Sequence, residues 1–182
     1  GTRIEGRATV QAPVIGSFNV ANLLAVLGAA RALGGSLADA AAACARLLPV
    51  PGRMQAVSVA PGLDAQLPLA VVDYAHKPAA IAAVLDTLRG QLEGTKGRVG
   101  IVVGAGGDRD SSKRPIMGAA AATRADLTVV TDDNPRSEDP ATIRAAVVDG
   151  AREAAPQGDI REVGSRARAI DEVVDWAEPG DA

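Results

Sequence analysis

The stretches of this chain whose residue types could do chemistry are Gly104-Ala105-Gly106-Gly107-Asp108-Arg109-Asp110 and, further along, Asp132-Asp133-Asn134-Pro135-Arg136. The first invites a dinucleotide-binding reading, but the fingerprint needs a glycine where this chain has Arg109. Its glycines alone require no more than a tight strand-to-helix turn. A turn that only reversed direction would not need Asp108, Arg109, Asp110, Lys113 and Arg114 as well. Guanidinium and backbone N–H groups ahead of a helix suit a carboxylate or a phosphate. In the second stretch Pro135 restricts the backbone of Asn134 to extended conformations. Asp133 and Asn134 offer acceptors to an ammonium, and Arg136 offers a planar fork to a carboxylate, so an amino-acid-shaped ligand matches both signs. The alternative is an ordinary solvated loop.

Other candidates lie upstream. Asp73-Tyr74-Ala75-His76-Lys77-Pro78 follows an apolar run, and a carboxylate at such a strand end can accept both hydroxyls of a ribose. His76, as a lone histidine, reads as a structural or surface group unless a ligand is nearby. Gly94-Thr95-Lys96 lacks the spacing of a phosphate loop.

Elements must hold these residues in place. The apolar runs before each candidate stretch read as buried strands, so the stretches would leave the carboxyl edge of a parallel sheet, where open α/β sheets bind ligands. Strands are expected near Ile4–Val10, Gln55–Ala60, Leu69–Tyr74, Arg98–Val103, Leu127–Thr131 and Asp159–Val163. A helix runs from about Asn19 to Leu33, stopped by Gly34-Gly35. Ser36-Leu37-Ala38-Asp39 has the spacing of a capping box, and Leu37, Ala40, Ala41, Cys44, Leu47 and Leu48 would line one face of the next helix. Further stripes are Ile81, Val84, Leu85, Leu88; Ile143, Ala146, Val147; and Ile170, Val173, Val174, Ala177 behind Ser165. Pro78 and Pro140 stand at first-turn positions. The fold class is therefore α/β, a Rossmann-like, mostly parallel sheet with helices on both faces. Pro49-Val50-Pro51-Gly52 separates it from a strand-plus-helices segment at the start.

Composition bounds the rest. The 182 residues are 47% apolar and 23% charged with net charge -3, and contain one residue each of Phe, Tyr and Trp, so the core is Ala, Val and Leu. No basic block or aromatic interleaving suggests nucleic acid or an anionic membrane. Cys44 is the single cysteine, which excludes an internal disulfide and fits a reducing cytoplasm. The chain starts at Gly1 and ends in a turn, Glu178-Pro179-Gly180-Asp181-Ala182, that should deliver another strand, so both ends read as cut.

Taken together, Gly16-Ser17-Phe18-Asn19-Val20-Ala21-Asn22, Pro51-Gly52-Arg53-Met54, Val72-Asp73-Tyr74-Ala75-His76-Lys77-Pro78, the segment Gly104 to Arg114 and Asp133-Asn134-Pro135-Arg136 resemble, in order, the motifs of the Mur ligases. The resemblance covers nearly the whole chain. It implies that residues 1–50 are the tail of a central ATPase domain and residues 51–182 most of a C-terminal amino-acid-binding domain. It further implies that Asn19 and Asn22 lie by a nucleotide base, that Arg53 and Asp73 hold its ribose and phosphates with His76 close by, and that Arg109, Asp133, Asn134 and Arg136 bind diaminopimelate. No catalytic residue or metal ligand is implied among these 182 residues. The family's phosphate loop, metal ligands and carbamylated lysine would precede them, and a Gly-Lys-Gly-His-Glu segment would follow. The implied enzyme is cytoplasmic and uses ATP and Mg²⁺. It adds meso-diaminopimelate to UDP-N-acetylmuramoyl-L-alanyl-D-glutamate through an acyl phosphate in peptidoglycan synthesis. The Asp133–Arg136 signature is replaced in ligases that add lysine, which favours meso-diaminopimelate. The alternatives are a folylpolyglutamate-type ligase and a non-catalytic nucleotide-binding module.

Overall fold

A computed structural model describes residues 9, 10, 12, 14–48, 50–57 and 67–182. The strand expected over Ile4–Val10 falls largely outside these residues, as do residues 58–60 of the one expected over Gln55–Ala60. The chain divides into two compact units, Gly1–Gln55 and Ala56–Ala182.

The first unit contains α1 (Ser17–Ala32) and α2 (Leu37–Cys44), which pack together. Ser36 is the expected N-cap: its hydroxyl accepts from the Asp39 N–H at 3.0 Å and donates to the Asp39 carboxylate at 2.6 Å, in place of the backbone bond that would complete a capping box. Leu27, Ala41 and Cys44 are buried. Leu47 and Leu48 do not continue the α2 stripe, because the helix ends at Cys44 and leaves both exposed.

The second unit is the α/β layer structure that the alternation of patterns implies. β1 (Gln55–Val57) pairs with β2 (Ala70–Val72). After α3 (Pro78–Gln91) come β3 (Gly100–Val103), α4 (Lys113–Ala122), β4 (Leu127–Val130), α5 (Pro140–Ala154), β5 (Asp159–Glu162) and α6 (Arg166–Trp176). β3, β4 and β5 form a parallel sheet in that order, with Gly100 opposite Leu127 and Leu127 opposite Asp159. Every residue of β4 is buried, as a central strand covered on both faces requires.

Alternation divides the sheet between two helical layers. Leu127 and Val129 face α6, forming a cluster with Ala169, Val173 and Trp176, while Thr128 and Val130 point to the opposite face. α4 and α5 pack closely against each other and against β4. Their approach depends on glycine: a Cβ at Gly118 would lie 1.9 Å from the Val147 carbonyl oxygen, and one at Gly150 would lie 2.1 Å from that of Pro115. The buried face of α6 is shifted from the expected one. Ala169, Val173 and Trp176 turn inward at i, i+4 and i+7, and Ile170 and Val174 are exposed.

Beyond α6 the chain returns to the sheet. The Ala182 N–H donates to the Arg98 carbonyl at 2.9 Å and its carbonyl accepts from the Gly100 N–H at 2.8 Å, a parallel bridge; the Asp181 carbonyl accepts from Leu69 at 2.8 Å. The Asp181 side chain, 5% exposed, anchors this return. It accepts from the Arg98 N–H at 2.8 Å, from the Arg98 guanidinium at 2.6 and 3.1 Å, and from the Glu178 N–H at 2.9 Å. The Arg98 guanidinium lies 4.1 Å over the Trp176 ring.

Burial alone would raise the Asp181 pKa, but the bonds from Arg98 and Glu178 outweigh it and hold the value at about 2 against an ordinary 3.8. A depressed carboxylate pKa stabilises the fold fully above the ordinary value, and that stabilisation is lost as pH falls through the folded one. Unfolding free energy should therefore drop by about 2 kcal/mol between roughly pH 5 and pH 2 on this account. In chemical denaturation across that range, Asp181→Asn should be destabilised near neutrality by about 1–3 kcal/mol and should show a flatter acid limb.

Candidate functional site

Because β3 and β4 are parallel and in register, the segments that follow them leave the same edge of the sheet. The first, residues 104–112, leads into α4, and the second, residues 131–139, leads into α5. They are bonded to each other along their length. The Gly107 N–H donates to the Asn134 carbonyl at 2.9 Å, and the Arg136 guanidinium donates to the Gly107 carbonyl. The Asp108 carboxylate accepts from the Ser137 N–H at 3.2 Å and from the Ser137 hydroxyl at 2.7 Å. In return, the Glu138 carboxylate accepts from the Asp108 N–H at 2.5 Å.

Glu138 is also held by Arg114 of α4, whose guanidinium is nearly buried and donates to both carboxylate oxygens at 2.7 and 2.8 Å. The Arg114 bonds, followed by the one from Asp108, keep the Glu138 carboxyl below its ordinary pKa. Asp110 is likewise held low, first by Ser112 and then by Lys113, with which it pairs at 3.3 Å. Of the five charges in the first loop and the start of α4, four are thus committed to neighbours. Among the described residues Arg109 has no hydrogen-bond or ion-pair partner, and it is exposed.

In the second loop the Asn134 side-chain oxygen accepts from the Arg136 N–H at 3.2 Å, and Arg136 has φ +50°. A guanidinium has five N–H donors, so the bond to Gly107 orients Arg136 and leaves donors over. Asp133 is exposed and lies 3.5 Å from Arg166 at the start of α6. Asp132 points the other way chemically, into Arg144 of α5, which also donates to Glu162 at 2.9 Å. A shallow cleft lies between Ala105, Asp133, Pro135 and Arg144. The structure therefore brings Arg109, Asp133, Asn134 and Arg136 to one edge.

The other expected residues belong to other segments of the chain. Asp73, half-buried, and His76, exposed, follow β2, where His76 Nδ1 lies 3.2 Å from the Tyr74 carbonyl. In the first unit the Asn19 amide donates to the Ile15 carbonyl at 2.7 Å and the Asn22 amide donates to Asn19 at 3.2 Å. Arg53 is exposed. Among the described residues no group of three His, Cys, Asp or Glu is placed to hold a metal ion. Sequence reasoning missed Glu138 and Ser137. The signal was available only in part, as a carboxylate and a hydroxyl just before the Asp139-Pro140 helix start.

Known proteins resemble this chain in both sequence and fold. The family described as Mur ligase, glutamate ligase domain, matches residues 52–182. The UDP-N-acetylmuramoyl-L-alanyl-D-glutamate–2,6-diaminopimelate ligase of Corynebacterium efficiens is 53% identical over 180 residues, 97% of this chain and 32% of that protein. The protein of the same name from Alkalilimnicola ehrlichii is 47% identical over 176 residues, 97% of this chain and 33% of its own. This chain therefore spans about a third of the length of these relatives. A solved structure of a ligase with that name matches at TM-score 0.62 and 37% identity, covering 98% of this chain and 34% of that one. Folylpolyglutamate synthase of Mycobacterium tuberculosis, complexed with ADP and AMPPCP, matches at TM-score 0.66 and 27% identity over 92% of this chain and 35% of its own.

The contact between the two loops leaves no room at residue 107, where a Cβ would lie 1.8 Å from the Pro135 carbonyl oxygen. Gly107→Ala should therefore force the loops apart, costing about 1–3 kcal/mol by denaturant unfolding. Amide exchange in residues 131–138 should accelerate while that in β4 stays slow.

Proposed function

The chain belongs to the Mur ligase family, and from that membership we propose that it is the amino-acid-binding part of a ligase that joins meso-diaminopimelate to UDP-N-acetylmuramoyl-L-alanyl-D-glutamate. What carries the reading is the Asp133–Arg136 loop, bonded to the loop of Arg109 on a chain that is 53% identical to a ligase of that name. Residues 1–50 are then the end of the central domain, and residues 51–182 most of the C-terminal one.

Family members use ATP, which in the proposed reaction supplies the phosphoryl group that activates the γ-carboxylate of the D-glutamate residue. Asn19 and Asn22 are proposed for the base, Arg53 and Asp73 for ribose and phosphates, and His76 beside them. The half-buried Asp73 carboxyl at the end of β2 fits a ribose, whereas the chain's own sequence contains no phosphate loop. Mg²⁺ belongs to the proposed reaction, and no described residue is assigned to it. The setting proposed for all of this is the cytoplasm. Among the described residues no helix is long and apolar enough to cross a membrane.

The chain's own residues do positioning work. Arg136 and Arg109 receive the carboxylates of diaminopimelate, while Asp133 and Asn134 accept from its ammonium. The amine that attacks the acyl phosphate is thereby presented at a set distance, and orientation of this kind contributes a large share of rate in such reactions. Asp133 is shared with Arg166, so an incoming ammonium competes with a guanidinium already 3.5 Å away.

In the full-length enzyme, Arg136→Ala removes a charge-assisted pair worth about 1.5–3 kcal/mol, so the KM for meso-diaminopimelate should rise about ten- to a hundredfold. Lysine, which lacks the distal carboxylate, should lose far less, and Arg136→Lys should recover part of the loss because it keeps charge without the two-point fork. Steady-state kinetics with both amino acids decide it: equal losses would mean that Arg136 only supports the loop.

A further inference from the structure

Ser137 and Glu138 carry no group in the proposed pocket, yet they make more bonds to the Arg109 loop than the pocket residues do. Two carboxylates cross between the loops in opposite directions: Asp108 reaches over to the Ser137 N–H and hydroxyl, and Glu138 reaches back to the Asp108 N–H. Glu138 is tied in turn to α4 through both oxygens to Arg114. The bonded residues are the immediate chain neighbours of the two arginines proposed for the ligand, since Arg109 follows Asp108 and Arg136 precedes Ser137.

The backbone at this crossing is held in a conformation that it would not choose. Asp108 and Arg136 both have φ +50°, a region in which residues with a Cβ are disfavoured. At Asp108 the restraints are the cross-loop bonds themselves. Arg114 has little else to turn to: it is 4% exposed, its Nε is already without a partner among the described residues, and apart from Glu138 its guanidinium donates to the Gly106 carbonyl at 3.4 Å. Removing the Glu138 carboxylate thus leaves a buried guanidinium with that one long bond and frees the Asp108 N–H together. Asp108 can then leave the left-handed region and turn Arg109 with it.

We propose that Glu138 is a positioning residue for the amino-acid substrate: bridging Arg114 and the Asp108 N–H, it sets the Arg109 loop against the Arg136 loop at the spacing that the ligand's two ends require. This rests on the diaminopimelate reading of the pocket. Backbone strain held by surrounding bonds is found where geometry has to be set in advance.

The test uses the full-length ligase with Glu138→Gln, Glu138→Asp, Ser137→Ala, Arg136→Ala and, as a control for stability alone, Asp181→Asn. Glu138→Gln should raise the KM for meso-diaminopimelate about ten- to a hundredfold while the KM for ATP stays within about twofold, because a misplacement near 1 Å has effects of that size. Glu138→Asp should recover part of the loss, and Ser137→Ala, which removes one bond and keeps the ion pair, should shift the same KM by less. Asp181→Asn should lower the melting temperature and leave that KM unchanged. No KM shift in Glu138→Gln, or an equal shift in Asp181→Asn, overturns the proposal. Should Glu138→Gln not fold, Ser137→Ala decides by the same comparison. Arg136→Ala separates the two layers: if it raises the KM while Glu138→Gln does not, the positioning role alone falls, and if it has no effect, the reading of the pocket falls and the positioning role with it.

Discussion

The carbonyl oxygen of Pro135 lies where a side chain on residue 107 would begin, and the organisation of the carboxyl edge follows from that contact. With glycine there, the backbones of the two loops approach closely enough for the Gly107 N–H to reach the Asn134 carbonyl and for Arg136 to reach the Gly107 carbonyl. The remaining cross-loop bonds, between Asp108, Ser137 and Glu138, become possible only at that separation. A register of parallel strands, which brings Val103 opposite Val130, delivers both loops to the place where this happens.

Charge at this edge is divided between structure and what remains available. The Arg114–Glu138 pair joins a buried guanidinium to a half-buried carboxylate, so desolvation offsets part of its attraction, while removing the carboxylate strips the buried cation of its charged partner. It therefore acts more as a fixed connection than as a source of stability. Asp132, Arg144 and Glu162 form a second connection of this kind, tying the end of β4 to α5 and β5. Arg109 and the remaining donors of Arg136 are what such a frame leaves uncommitted.

The opposite end of the sheet is stabilised differently. There Asp181 gathers four N–H donors from Arg98 and Glu178, and Arg98 covers the Trp176 ring. Those bonds join the start of β3 to the chain after α6 and carry no group that points to a ligand. The Asp181 anchor at the amino ends of the strands and the recognition proposed at the carboxyl ends are separated by the length of the strands themselves.

The alternation of apolar runs with helical stripes was enough to determine the α/β class, the sites of the strands within the described residues to within about two residues, and the Ser36 N-cap. These are local consequences of side-chain period and of the first unpaired N–H groups of a helix. The glycine-and-charge loops could also be found by eye, because strand ends of a parallel sheet are where such residues gather. What the sequence could not decide was how charge is shared. Asp108, Arg109, Asp110, Lys113 and Arg114 look alike as a string, and only the docking of residues 134–138 determines that Arg114 is buried, that Asp108 is bonded across to Ser137 and that Arg109 stays exposed. The face of α6 was settled in the same way. Its apolar residues allow either phase, and the Trp176 ring, caught between Arg98 and the sheet, selects the one that leaves Ile170 and Val174 outside. Both outcomes depend on groups distant in sequence meeting at fixed distances, and periodicity along the chain contains no information about distance across it.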